Sequence, residues 1–165
     1  FGTLVIAGCS STATEPVVEQ QPVTEIAEVV EVVEVIEEAG PGFAADNKTP
    51  VDASSNPVSR TFYFDFDQAI VSPADFAALS THAEILRSNP SRSVIVAGHC
   101  DQRGTREYNL ALGESRAKSI SAILVANGVS PRQIEEISYG EEELANPANN
   151  ARAWSQNRRA VVSYR

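Results

Sequence analysis

Apolar positions in residues 60–165 follow two rhythms, separated by turn residues. In residues 61–66, TFYFDF, an aromatic side chain stands at every second position, which predicts a β-strand. Ser72-Pro73 predicts a helix start, a capping hydroxyl followed by proline at the first helical position, with Asp75 complementing the helix dipole. Phe76, Leu79, Ala83 and Leu86 then recur at helical steps until Asn89-Pro90 ends the pattern. Residues 93–98, SVIVAG, are nearly all apolar and predict a central strand.

Thr105 can cap a second helix, which Asn127-Gly128 closes; its core stripe is Leu112, Gly113, Ala117, Ile120 and Leu124. Ser130-Pro131 starts a short helical turn, and residues 134–139 and 159–164 (RAVVSY) predict two more strands. The order β-α-β-α-β-β predicts an α/β (α+β) two-layer sandwich with its helices on one face of a mixed four-stranded sheet. The helix between the first two strands suggests a right-handed crossover.

Residues 10–59 keep neither rhythm and hold five of the nine prolines. In TEIAEVVEVVEVIEE, Glu recurs at every third residue from Glu25 to Glu37. A three-residue step falls about 60° short of a helical turn, so the Glu stripe spirals. A strand needs period two and a coiled coil 3.5, while the many valines lower helix propensity. This predicts an extended or disordered tether over residues 9–59, with a folded domain over 60–165. Such a tether would reach about 170 Å at full stretch and roughly 40 Å relaxed.

Charge sharpens that division. Residues 10–59 carry ten acids and one base, Lys48, and the whole chain has a net charge of −9. Residues 60–165 therefore balance 12 bases against 12 acids. The acidity belongs to the tether and says nothing about a substrate. No basic stripe appears, so nucleic acid is not an expected partner.

The opening FGTLVIAGC reads as the tail of a signal peptide, residues 1–8, and Ile6-Ala7-Gly8-Cys9 resembles a bacterial lipobox. Cleavage before Cys9 and lipidation of Cys9 are expected. Each buried acyl methylene contributes about 0.8 kcal/mol, so more than one chain gives stable membrane attachment. Of the two cysteines, Cys100 would then be unpaired.

Candidate chemistry concentrates in residues 98–117, GHCDQRGTREYNLALGESRA. Asp101 ends a strand, and Arg116 lies on the following helix, four residues from both Leu112 and Ile120. A charge beside a buried stripe needs a partner. A plain Asp101–Arg116 salt bridge is one reading; a ligand site beside the helix N-terminus at Thr105 is the other. His99 and Cys100 are neighbours on a strand and point to opposite faces, which weakens a hydrolase with Cys100 as nucleophile. His82 is the only other histidine, too few ligands for zinc. No catalytic residue, metal or cofactor is expected. His99 is expected to hydrogen-bond in a half-buried strand, and Cys100 to act as a small hydrophobe. Tyr108 and Leu112 suit either a pocket wall or ordinary core. Gly104 suits a turn, and Trp154 an anchor for the loop before the last strand. Arg158 and Arg159 point to opposite sides, and the pattern does not say which faces the site.

The pattern Gly-His-x-Asp, Gly, Asn-x-x-Leu-Gly-x-x-Arg-Ala-x-x-Ile within residues 98–120 resembles the signature of OmpA-like peptidoglycan-binding domains. YFDFDQ at 63–68, Asp-x-Arg-Gly-Thr at 101–105, SYGEE at 138–142 and NRRAVVSY at 157–164 resemble the narrower Pal lipoprotein branch. The resemblance covers residues 60–165; the acidic tether is not part of it. It implies non-covalent binding of peptidoglycan through diaminopimelate, and no enzyme activity. Asp101 would meet the ligand ammonium and Arg116 its carboxylate, in a bidentate contact. Phe66 and Asp67 would form the rim, Gly104 and Thr105 the helix start, and Asn109 would brace the loop. The resemblance further implies an outer-membrane anchor through Cys9, facing the periplasm and favoured by Ser10 in place of Asp. It implies Tol-Pal partners (TolB, TolA) in cell division; a general wall anchor without them is the alternative.

Overall fold

The computed structural model describes residues 40–165. The signal-peptide tail, Cys9 and the spiralling Glu stripe lie outside the described residues.

A two-stranded sheet comes first, β1 (Gly42–Phe43) antiparallel to β2 (Pro50–Val51). Next come β3 (Thr61–Tyr63), α1 (Phe76–Ser88), β4 (Val94–His99) and α2 (Arg106–Ala126). The chain closes with β5 (Ile134–Gly140), α3 (Ala151–Asn157) and β6 (Arg159–Tyr164). The main sheet has the order β3-β6-β4-β5. β4 runs parallel to β5 and antiparallel to β6, and β3 pairs antiparallel with β6. The expected sandwich is therefore present, with the apolar β4 inside the sheet.

Local signals explain the helix ends. Ser72 Oγ accepts a hydrogen bond from Ala74 N–H at 3.3 Å and opens a 3₁₀ turn, Pro73–Asp75, ahead of α1. Thr105 Oγ1 accepts from Tyr108 N–H at 3.3 Å and caps α2. The core joins Phe62, Val94, Val96 and Val162 of the sheet to Leu79 and Leu86 of α1 and to Ile120 and Leu124 of α2. Full burial of each such side chain contributes about 1.5–3 kcal/mol. Phe76, expected in that stripe, is about half exposed at the first residue of α1, beyond the core's end. α2 crosses β4 where two glycines meet: a Cβ on Gly98 would fall 1.9 Å from the Gly113 carbonyl oxygen. That close approach sets how near the N-terminal half of α2 lies to the strand end carrying Asp101.

Two elements depart from expectation. The first strand pairs only over Thr61–Tyr63; Phe64 N–H still bonds Arg158 O, and the chain then turns, with Asp67 at φ +57°. Residues 42–58 were expected to belong to the tether, yet they fold. Phe43 sets its ring edge against Tyr164, centroids 5.0 Å apart, with the Arg92 guanidinium 4.1 Å over its face. Val51 is buried, and His82 fixes the junction. His82 Nε2–H donates to Ser59 O at 2.8 Å, and Nδ1 accepts from Tyr164 O–H at 2.7 Å. The partners of Phe43, Tyr164 and Arg92, lie more than 40 residues away in sequence, where periodicity carries no signal.

Candidate functional site

The C-terminal ends of β3 and β4, the N-terminal half of α2 and the start of β6 converge on a pocket of roughly 190 Å³. Phe66 and Asp67 reach it from the turn after β3, and Asp101 and Gly104 from the loop after β4. Tyr108, Leu112 and Arg116 reach it from successive turns of α2. Seven of the eight expected binding residues thus share one cavity. The eighth, Thr105, caps the adjacent helix end instead. The positive end of a 21-residue helix therefore borders the pocket.

Gly104 takes φ +106°, a left-handed conformation that glycine adopts without strain, and so brings the loop onto α2. Asn109 holds that loop closed. Its Nδ2 donates to Asp101 O at 3.2 Å, to Arg103 O at 3.0 Å and to Glu141 Oε2 at 2.6 Å.

Arg116 is fully buried, with 0% exposure. It makes no ion pair with Asp101. Its Nε–H donates to Gln68 O at 2.9 Å, Nη1 to His99 O at 2.8 Å and Cys100 Sγ at 3.2 Å, and Nη2 to Asp65 O at 3.2 Å. Phe64 lies beneath it, ring centroid 5.3 Å from Cζ. These contacts use four of its five N–H groups. Burial pulls its pKa below the ordinary value, yet guanidinium stays charged in proteins. A buried cation satisfied by carbonyl dipoles, with no carboxylate bound to it among the described residues, leaves a positive field at the pocket floor.

Asp101, only 4% exposed, is occupied by other arginines. Its Oδ1 accepts from Arg103 N–H at 3.1 Å and from Arg103 Nε–H at 3.0 Å. Its Oδ2 accepts from Arg103 Nη2 at 2.6 Å and from Arg158 Nη1 at 3.2 Å. Burial raises its pKa, but these bonds outweigh burial and hold it below the usual carboxylate value. Asp67 accepts a short hydrogen bond from the Tyr108 hydroxyl. The pocket thus contains three guanidinium groups and two carboxylates.

The sequence reading missed Arg103 and left Arg158 undecided. Arg158 faces the pocket, donating also to Phe64 O at 2.9 Å, while Arg159 turns away toward Glu143 O. The Arg103 guanidinium lies 4.2 Å from the ring centroids of both Phe66 and Trp154. Trp154 rides on α3, which Asn150 caps through Ala153 N–H at 2.9 Å, so the expected loop anchor is a helical residue. The Asn150 cap was the available signal for that helix.

His99 and Cys100 do not form a catalytic pair. The buried thiol donates to Asn109 O at 3.2 Å, and burial pushes its pKa up to about 11, away from thiolate reactivity. His99 stacks on Tyr139, centroids 5.4 Å apart, and its ring hydrogen-bonds the Glu143 backbone, while Nδ1 has no hydrogen-bond partner among the described residues. Burial first, and Arg159 second, pull its pKa down to about 4. Among the described residues, no group of three His, Cys, Asp or Glu side chains could hold a metal ion. Among them, too, no helix is long and apolar enough to cross a membrane.

Comparison with known proteins supports the fold. The OmpA family model matches residues 63–159. A peptidoglycan-associated lipoprotein of Pseudomonas putida is 42% identical over 138 residues, covering 76% of this chain and 82% of that protein. One from Rhizobium meliloti is 36% identical over 163 residues, covering 97% of this chain and 81% of that protein. The crystal structure of the peptidoglycan-associated lipoprotein from Burkholderia pseudomallei superposes with a TM-score of 0.64 at 41% identity, covering 65% of this chain and 91% of that one. The C-terminal domain of Helicobacter pylori MotB shares the fold at 20% identity and a TM-score of 0.59, over 64% of this chain and 83% of that one.

Proposed function

The chain belongs to the OmpA family, and from that membership we propose that it is an envelope lipoprotein that binds peptidoglycan without cleaving it. The observation that carries the reading is Arg116, a fully buried cation at the floor of a pocket, with no carboxylate bound to it among the described residues. A ligand carboxylate would complete its coordination and sit near the N-terminus of α2. Asp67 and Asp101 supply the negative charge for an ammonium on the same ligand. A diaminopimelate side chain carries both groups on one carbon, which suits so small a pocket. Phe66 and Tyr108, both more than half exposed, would cover its methylenes at the rim.

The mechanism is mechanical linkage. Acyl chains on Cys9 would hold one end in the outer membrane, the acidic segment would give reach, and the domain would grip the wall. Labelling with a palmitate analogue, in wild type and Cys9→Ala, tests the anchor. TolB and TolA are proposed as partners in cell division; affinity capture from crosslinked envelopes tests that part separately.

Incubation with purified sacculi tests the central claim. The protein should pellet with the wall and release no soluble muropeptides. Released fragments would instead support an envelope hydrolase, and a protein left in the supernatant would remove the binding reading.

A further inference from the structure

Asp101 is saturated. Each of its two oxygens already accepts two hydrogen bonds, about the full capacity of a carboxylate. An incoming ammonium can reach it only if one donor leaves. Arg158 is poorly placed to go: its side chain is 14% exposed, and it is also tied to Phe64 O. Arg103 is better placed. Its side chain is 35% exposed on a surface loop, and among the described residues its guanidinium is held, apart from Asp101, only by the faces of Phe66 and Trp154. Stacking on an aromatic face tolerates sliding and rotation in the plane, whereas a bidentate fork does not.

We infer that Arg103 determines specificity by exchanging ion pairs: a ligand ammonium replaces its guanidinium on Asp101, and the guanidinium, still held between Phe66 and Trp154, takes the ligand's carboxylate. The exchange conserves charge contacts only when the ligand carries both groups close together. A ligand with an ammonium alone would displace Arg103 and leave it without an anion. A ligand with a carboxylate alone would have to compete with Asp101 for it. Arg103 therefore selects an amino-acid head group over a simple amine. This rests on the peptidoglycan reading and extends it by assigning a second carboxylate contact besides Arg116.

The test uses the full-length protein and Arg103→Gln, each titrated calorimetrically with two muropeptides. One carries diaminopimelate at the third position of the stem and the other carries lysine there. Wild type should prefer the diaminopimelate peptide by at least about tenfold, the worth of one charge-assisted contact. R103Q should lose about tenfold of that preference, leaving what Arg116 supplies, by weakening diaminopimelate binding while lysine binding stays level or tightens. Equal weakening of both peptides would make Arg103 merely structural and overturn the inference, as would an unchanged ratio. If R103Q loses its native circular dichroism, R103K carries the same comparison, since it keeps the charge but not the fork. Failure of wild type to bind either peptide would instead sink the peptidoglycan reading, and the inference with it.

Discussion

Asp101 Oδ2 and Arg158 Nη1 meet at 3.2 Å across 57 residues of chain. The contact ties the loop after β4 to the start of β6, and Arg103 completes it from the same loop. Replacing Asp101 with Asn would keep the shape but point an NH₂ group at one of two guanidinium groups. Breaking a buried pair from one side costs about 3–5 kcal/mol. Urea denaturation of D101N should show a loss of that order, with the slope unchanged.

Arg116 reports on binding and on folding together. Arg116→Ala strips the donors from the carbonyls of Asp65, Gln68 and His99. Arg116→Lys keeps the charge and loses the fork. Loss of muropeptide affinity in the folded lysine variant should be about tenfold, the worth of the charge-assisted fork contact it lacks. Calorimetric titration reads it; wild-type affinity in folded R116K would remove the floor contact.

Acid should loosen the domain through His99. Its folded pKa is lowered to about 4 from an ordinary value of 6.5. Below about pH 6.5 the unfolded chain takes up the proton and the folded chain does not, so stability falls as pH falls toward 4. The cost reaches about 3 kcal/mol over that window. Thermal melts of wild type and His99→Phe, run from pH 7 to pH 4, should show a shallower decline in the variant.

Gly98→Ala would drive a methyl group into the backbone of α2, at 1.9 Å from Gly113 O. Backbone cannot yield as a side-chain tip does, so a loss of about 3 kcal/mol or more is expected. Chemical denaturation measures it, and a near-neutral result would mean that α2 sits further from β4.

A fragment beginning at residue 60 should be less stable than one beginning at residue 40. It lacks the Phe43 stack on Tyr164 and the Ser59 carbonyl that receives His82 Nε2–H. Each contact contributes about 0.5–1.5 kcal/mol, so a lower melting temperature is expected by calorimetry.

Helix caps, strand alternation and the apolar run of β4 lie within a few residues of one another, and the sequence alone determined them. Ser72, Thr105 and Asn127 mark helix ends because capping is a bond across two to four residues. The gathering of Asp101, Leu112 and Arg116 near one helix start was legible for the same reason: strand end and helix turn follow in immediate succession. Charge pairing was not legible, because opposite charges attract whatever their separation along the chain. Asp101 lay open to Arg116, Arg103, Arg158 or a ligand until the fold fixed distances. Tertiary structure decided three things: Asp101 is capped by Arg103 and Arg158, Arg116 rests on carbonyl dipoles, and residues 42–58 close against Tyr164 and His82. Apart from the Asp101–Arg103 contact, which spans two residues, each depends on bringing together groups far apart in sequence, which only the packed sheet and helices do.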